Sequence, residues 1–174
     1  FQGADLTALM DRVSTHWQLA VAFVLIAGLL DGIDGRIARL LHGESRFGAE
    51  LDSLADAISF GVAPALILYL WSLSSLPRFG WMASLMLAVF CALRLARFNA
   101  NIDADEQPHK SAGFLTGVPA PAGAGLAFLP LFLWFWTEEP VFRSPYVVAP
   151  WTALVAVLLV SSLATWSVSY THLR

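Results

Sequence analysis

The sequence predicts an all-α, polytopic transmembrane helical bundle, and three observations predict it. The chain is 57% hydrophobic and only 13% charged, with a mean hydropathy of +0.66, an apolar content above that of ordinary soluble domains. Apolar runs long enough to cross a bilayer recur along its 174 residues. Those runs lack the alternation of barrel strands, and an exposed backbone cannot be satisfied in lipid, so the spans are helices.

A helical crossing needs about 20 residues. Five candidates meet that length: 17–41, 48–72, 80–98, 116–136 and 147–166. Before them, "GADLTALMDRVST" over residues 3–15 sets Leu6, Leu9, Met10 and Val13 at helical spacing among polar residues, the pattern of a short interfacial or connecting helix. The connectors "HGESRF", "SLSSLPRF", "NANIDADEQPHKSAG" and "TEEPVFRSPY" carry the Gly, Pro, Ser and Asp punctuation that ends helices. No repeat or second composition regime divides the chain, so residues 1–174 are read as one membrane domain. It opens at Phe1 with neither a methionine nor a signal-peptide pattern. A longer protein truncated here at its N-terminus is therefore expected, with six spans in the full bundle.

The net charge of -3 and ten scattered basic residues give no nucleic-acid surface. Arg36, Arg39, Arg46, Arg94, Arg97, Lys110 and Arg174 gather on one side of the membrane, against Arg12, Arg78 and Arg143 on the other. The excess of Lys and Arg marks the cytoplasmic side. Cys91 is the single cysteine, which excludes an internal disulfide and reads as a small buried hydrophobe. Trp17, Trp71, Trp81, Trp134, Trp136, Trp151 and Trp166 fall near span ends, the pattern of an interfacial belt.

Against this background "DGIDGRIARLLHGESRFGAELDSLAD", residues 31–56, is anomalous. On helices, Asp31 and Asp34 share one face, and Asp52 and Asp56 share another. The turn between them brings both pairs to the same membrane surface. Each intramembrane charge costs about 2.5–3.5 kcal/mol even on the insertion scale, so four carboxylates require cations. Oxygen-only donors suit Mg²⁺, Mn²⁺ or Ca²⁺ rather than zinc, and four aspartates suit two such ions, the clamp used for displacement at phosphorus. Gly32, Gly35, Ala38 and Gly48 keep the facing surfaces low, and Arg39 offers a planar fork for phosphate oxygens. The competing reading is a charge network that locks two helices, but the aspartates outnumber the arginines placed to pair with them.

Read as D-x2-D-G-x2-A-R-x8-G-x3-D-x3-D, the stretch has Asp31, Asp34, Gly35, Ala38, Arg39, Gly48, Asp52 and Asp56 all in place. It resembles the CDP-alcohol phosphatidyltransferases. The resemblance implies an integral membrane enzyme that displaces CMP from a CDP-linked lipid with an alcohol at a divalent-metal site. It implies that Asp31, Asp34, Asp52 and Asp56 are metal ligands for two Mg²⁺ or Mn²⁺ ions, with Asp56 also taking the acceptor's proton. Gly35, Ala38, Arg39 and Gly48 then belong to the CDP-lipid site.

Two further stretches bear on the acceptor. "CALRLARFN" puts Arg94, Arg97 and Asn99 at the end of the third span, and "FLTGVPAPAGAG" opens the fourth. Both resemble the phosphatidylserine synthase branch of the family. That implies CDP-diacylglycerol and L-serine as substrates, a homodimer, and a bacterial-type inner membrane with the active site facing the cytoplasm. Arg94 and Arg97 suit a diphosphate or a serine carboxylate, and equally a positive-inside anchor. Asn99 suits substrate contact or a helix C-cap. The Gly/Pro-rich opening suits an acceptor pocket or close helix packing. The ending "VSYTHLR" departs from that branch. Glycerol 3-phosphate or inositol phosphate is the alternative acceptor class, and a cation transporter using the aspartates as its ion path is the alternative outside enzymes.

Overall fold

Helix α1, Gln2–Leu40, opens the fold as one continuous rod of 39 residues, roughly 58 Å long at 1.5 Å per residue. The computed structural model describes residues 2–40, 46–103, 114–116, 118–161 and 164–166, with side chains over 13–33, 47–48, 50–99 and 118–161. The short separate helix expected over residues 3–15 is thus the first part of α1. Hydropathy changes near Trp17, but no Gly or Pro intervenes between Ala4 and Ala27, so the backbone has no reason to break.

The next rod joins α2, Arg46–Asp56, through a π-helical turn at Ala57–Val62, to α3, Ala63–Trp71. Pro64 accounts for the turn. It has no N–H for the carbonyl of Phe60 and its ring crowds that carbonyl, while the Ala63 N–H reaches back five residues to the Ile58 carbonyl. Pro64 is buried, and the rod continues without a stop. A 3-10 turn at Leu73–Ser75 then leads into α4, Phe79–Asp103.

After α4, a short strand β1, Phe114–Thr116, precedes α5, Ala120–Ala127, and α6, Leu129–Thr137. These two helices are bent by 41° at Phe128. Pro130 causes the break, since it leaves the Leu126 carbonyl without its helical donor; the Trp151 indole N–H donates to that carbonyl instead, at 2.8 Å. Helix α6 ends on Glu138 in the left-handed region, φ 56°. The four-residue α7, Pro140–Arg143, and α8, Pro145–Val160, follow, and β2, Ala164–Trp166, closes the description. Strands β1 and β2 pair antiparallel, Phe114 opposite Trp166 and Thr116 opposite Ala164. This small ladder is an exception to the all-α expectation. Pro119, before α5, and Ser161, after α8, both have extended backbone.

Among the described residues, Val13–Ile33, Glu50–Trp71 and Phe79–Asn99 are long and apolar enough to cross a membrane, and α5 with α6 reaches that length and apolarity when the bent pair is taken together. The fifth expected run is represented by α8, at 16 residues the shorter apolar helix. Most of the first and third expected connectors, residues 41–45 and 104–113, and the tail 167–174 lie outside the described residues.

Helix α4 is the axis of the bundle, packed along α8 and against the π-helical turn and α3. Leu68, Leu87, Cys91, Phe128, Leu131, Val155 and Ala156 fill the interior, with Cys91 fully buried as expected. Phe23, Leu29, Leu70 and Met82 point outward, as lipid-facing side chains do; in water such a surface would be an association liability. Trp71 departs from the expected interfacial belt. It is buried, edge-on to Trp134 at 5.8 Å. Arg143 seals this end: its guanidinium lies 5.5 Å over the Trp134 ring, its Nε donates to the Trp71 carbonyl at 3.2 Å, and its own carbonyl accepts from Ser72 Oγ at 2.7 Å.

Candidate functional site

The opposite end of the bundle collects the charged groups singled out in the sequence. Asp31 lies at the end of the first span, Asp52 and Asp56 at the start of the second, and Arg94 near the end of the third. Antiparallel packing of consecutive helices puts all of them at one membrane surface.

Two close contacts set the depth at which these helices meet. On α1, a Cβ at Gly28 would stand 3.1 Å from the Phe60 ring. Glycine therefore provides the notch for Phe60, which is buried. Asp31 is three residues beyond Gly28 and Asp56 four residues before Phe60, so the same contact brings the two carboxyl groups together. Asp31 and Asp56 are within side-chain hydrogen-bonding reach, and the charges of Asp52 and Arg94 act on Asp56 as well. On the other side, a Cβ at Gly61 would stand 3.0 Å from Cys91 Cβ and 3.4 Å from the Ala88 carbonyl oxygen. Helix α4 therefore lies against the π-helical turn, and Arg94, three residues from Cys91, is near enough for its charge to act on Asp56.

Arg94 is half-buried and its Nε has no hydrogen-bond partner among the described residues. Such a buried, unmatched donor is costly unless something completes it. Arg97 is exposed. Asn99 is not a C-cap, because α4 continues to Asp103; its Nδ2 donates to Ser53 Oγ at 2.8 Å. Ser53 was not singled out in the sequence, since a bond across 46 residues leaves no local pattern. Gly32 faces open space and Gly48 is exposed. The side chains of Asp34, Gly35, Ala38 and Arg39 lie outside the described residues, although the backbone of all four is helical.

Immediately on the membrane side of Asp31 and Asp56 is an apolar cavity of about 380 Å³ between α1, the π-helical turn and α5. Leu25, Gly28, Phe60, Pro121, Gly125 and Phe128 are among its walls. The part of the fourth expected span that borders the cavity is helical, from Ala120 on: Pro121 and Gly125 face the cavity, while Gly123 packs directly against Leu159. A polar cluster at the membrane surface, with an apolar cavity about one helical turn below it, suits an amphiphile whose reacting group is its head.

The family model for CDP-alcohol phosphatidyltransferase matches residues 6–166. The chain belongs to that family. A CDP-diacylglycerol–serine O-phosphatidyltransferase of Mycobacterium tuberculosis is 44% identical over 160 residues, 92% of this chain and 56% of the relative. Its counterpart in Mycobacterium leprae is 44% identical over 164 residues, 91% of this chain and 52% of the relative. That of Helicobacter pylori is 42% identical over 120 residues, 69% of this chain and 48% of the relative. The chain spans about half the length of these curated relatives.

Members of the family are generally dependent on a divalent metal, and the apolar helices make this chain an integral membrane protein. The donor chemistry fits such a metal: Asp31, Asp52 and Asp56 supply hard oxygen donors, and the Arg94 charge alone cannot balance three carboxylates. No three His, Cys, Asp or Glu side chains among the described residues close around a common point, and Asp34, the fourth expected ligand, lies outside them.

Proposed function

We propose that this chain carries the catalytic domain of a CDP-diacylglycerol-dependent phosphatidyltransferase that uses L-serine, releasing CMP and forming phosphatidylserine. The observation that carries the reading is the meeting of Asp31, Asp52, Asp56 and Arg94 at one membrane surface directly above an apolar cavity. The serine in the names of the similar proteins supports the choice of acceptor.

In this reading the diacylglycerol part of the substrate lies toward the cavity and its diphosphate meets the aspartates. Asp31, Asp34, Asp52 and Asp56 hold two divalent ions, Mg²⁺ or Mn²⁺, which neutralise the diphosphate and make its phosphorus more electrophilic. Gly35, Ala38, Arg39 and Gly48 shape the CDP side of the site, Gly by allowing close backbone approach and Arg39 by pairing with phosphate oxygens. Arg94, with its unmatched Nε, binds an anionic oxygen of the diphosphate or the serine carboxylate, and Arg97 and Asn99 border the acceptor side.

Asp56 takes the proton of the serine hydroxyl as its oxygen forms a bond to the phosphatidyl phosphorus. The bond from that phosphorus to the CMP oxygen breaks, and CMP leaves with the electron pair. The proton held at Asp56 passes to solvent. The basic-residue count supports a cytoplasmic position for this surface, and the family resemblance supports a bacterial-type inner membrane and a homodimer as the working unit.

The test is to incubate the purified protein with CDP-diacylglycerol and a panel of alcohols, and to identify the lipid formed. Serine is expected to give phosphatidylserine and stoichiometric CMP. Preference for glycerol 3-phosphate or inositol phosphate would reassign the branch, and ion flux without CMP formation would replace the enzyme by a transporter.

A further inference from the structure

The Asn99 amide donates to Ser53 Oγ at 2.8 Å across the α2–α4 interface, yet neither residue suits the interior of a helix on propensity. Serine and asparagine compete with helical hydrogen bonds and favour caps, whereas Ser53 is inside α2 and Asn99 inside α4. Their presence calls for a tertiary reason.

A contact between the π-helical turn and α4 supplies it. Gly61 meets Cys91 eight residues beyond Ser53 on one rod and eight residues before Asn99 on the other. The two helices run antiparallel, so these contacts lie at matching intervals along both. The π-helical turn and α3 pack along α4, so that part of the rod is already held, and at the α2 end the tie to α4 is the Ser53–Asn99 hydrogen bond. Two contacts about two turns apart fix both the crossing angle and the axial register. Asp56 lies between the contacts on one rod and Arg94 lies between them on the other.

We propose that Ser53 is a positioning residue: its hydroxyl, through Asn99, locks the register of α2 on α4 and thereby holds the Arg94 guanidinium beside the Asp56 carboxyl. Ser53 touches neither reacting group; it acts by removing the freedom of one helix to slide past the other. The inference takes the roles of Asp56 and Arg94 from the proposed transferase reaction, but the register it describes exists independently of that reaction.

The test uses the full chain in lipid nanodiscs, with four proteins beside the wild type: Ser53→Ala, Ser53→Thr, Arg94→Lys, and Ser53→Ala combined with Arg94→Lys. Misplacement of a catalytic group by about 1 Å costs up to about 10²-fold in rate. Ser53→Ala is expected to lower kcat for CMP release by about 10-fold or more with little change in KM for the CDP-lipid, and Ser53→Thr, which keeps the hydroxyl, to restore it. In the double variant Ser53→Ala should add little to Arg94→Lys, because its effect passes through Arg94. Multiplicative effects, or a kcat unchanged by Ser53→Ala, would overturn the proposal.

A second measurement does not need the reaction. Nitroxide labels at Leu51 and Phe98, both exposed, report the distance between α2 and α4, with the fully buried Cys91 left unlabelled. A narrow distribution in wild type and Ser53→Thr that broadens in Ser53→Ala supports the lock, and an unchanged distribution removes it. If the wild type forms no CMP, the transferase reading has failed and the distances alone decide the register. If it forms CMP and Ser53→Ala matches it in both measurements, the positioning role has failed by itself.

Discussion

Replacement of Gly61 by alanine sets two effects of opposite sign against each other. In an unconstrained helix the change is favourable by about 1 kcal/mol, because glycine loses the most backbone freedom on folding. Here the new methyl would stand 3.0 Å from Cys91 Cβ, 3.3 Å from its Sγ and 3.4 Å from the Ala88 carbonyl oxygen. Carbon atoms settle at about 3.5–4.0 Å, so α4 has to retreat by roughly 0.5–1 Å. The sulfur can rotate away, but Cβ and the carbonyl oxygen are fixed to the backbone, and α4 is also packed along α8, which limits how far it can move. Overpacking of this kind costs about 1–3 kcal/mol, which offsets or exceeds the gain. The net expectation is a loss of about 0–2 kcal/mol in place of the usual gain of 1. Arg94 moves with Cys91 away from Asp56, so turnover should fall by about 10-fold, within the range for a misplaced catalytic group. The assays are thermal unfolding in detergent and CMP release from CDP-diacylglycerol. Cys91→Gly added to Gly61→Ala should recover turnover, since it removes the opposing Cβ. A Gly61→Ala protein more stable by the full helix-propensity increment and normally active would refute the close-contact reasoning.

Asp56→Asn keeps the shape and one donor oxygen but cannot accept the serine proton, so turnover should fall by about 10² to 10⁴ while CDP-lipid binding, read by calorimetry in Mn²⁺, is better preserved. Normal turnover would place the base elsewhere, and complete loss of metal binding would make Asp56 chiefly a ligand. Chelation by EDTA should abolish CMP release and Mg²⁺ or Mn²⁺ should restore it; full activity in metal-free buffer would remove the two-ion reading. At the opposite end of the bundle, Arg143→Ala loses a charged hydrogen bond to the Trp71 carbonyl and the cation–π contact with Trp134, a loss of about 1–3 kcal/mol visible as a lower Tm with the KM for CDP-lipid unchanged. A cysteine at the exposed Glu139 should react with an impermeant thiol reagent from outside intact cells, and protection there would invert the orientation.

The parts of this fold that were legible in the sequence depend on neighbours in the chain. Asp31 and Asp34, or Asp52 and Asp56, share a face because a helix repeats every 3.6 residues, and an apolar run of 20 crosses lipid whatever it packs against. Backbone breaks were half legible. Pro130 and Pro64 both withdraw the donor for a carbonyl four residues earlier, but the same deficit ends in a 41° bend at one and a π-helical turn at the other. What differs is the partner. The Leu126 carbonyl is taken by the Trp151 indole from α8, whereas at Phe60 the helix widens, with the Ala63 N–H reaching back to Ile58 and the rod running on. Packing between rods was least legible, and the site depends on it. Nothing in the spacing of Asp31 and Asp56 states that they meet, since a slip of one turn along either helix would move one carboxyl about 5.4 Å from the other. The depth of engagement is set by Gly28 receiving Phe60 and Gly61 receiving Cys91, contacts between residues more than 29 positions apart. The aspartate motif thus supplies the charges, and glycines and a serine outside its fixed positions determine whether those charges converge.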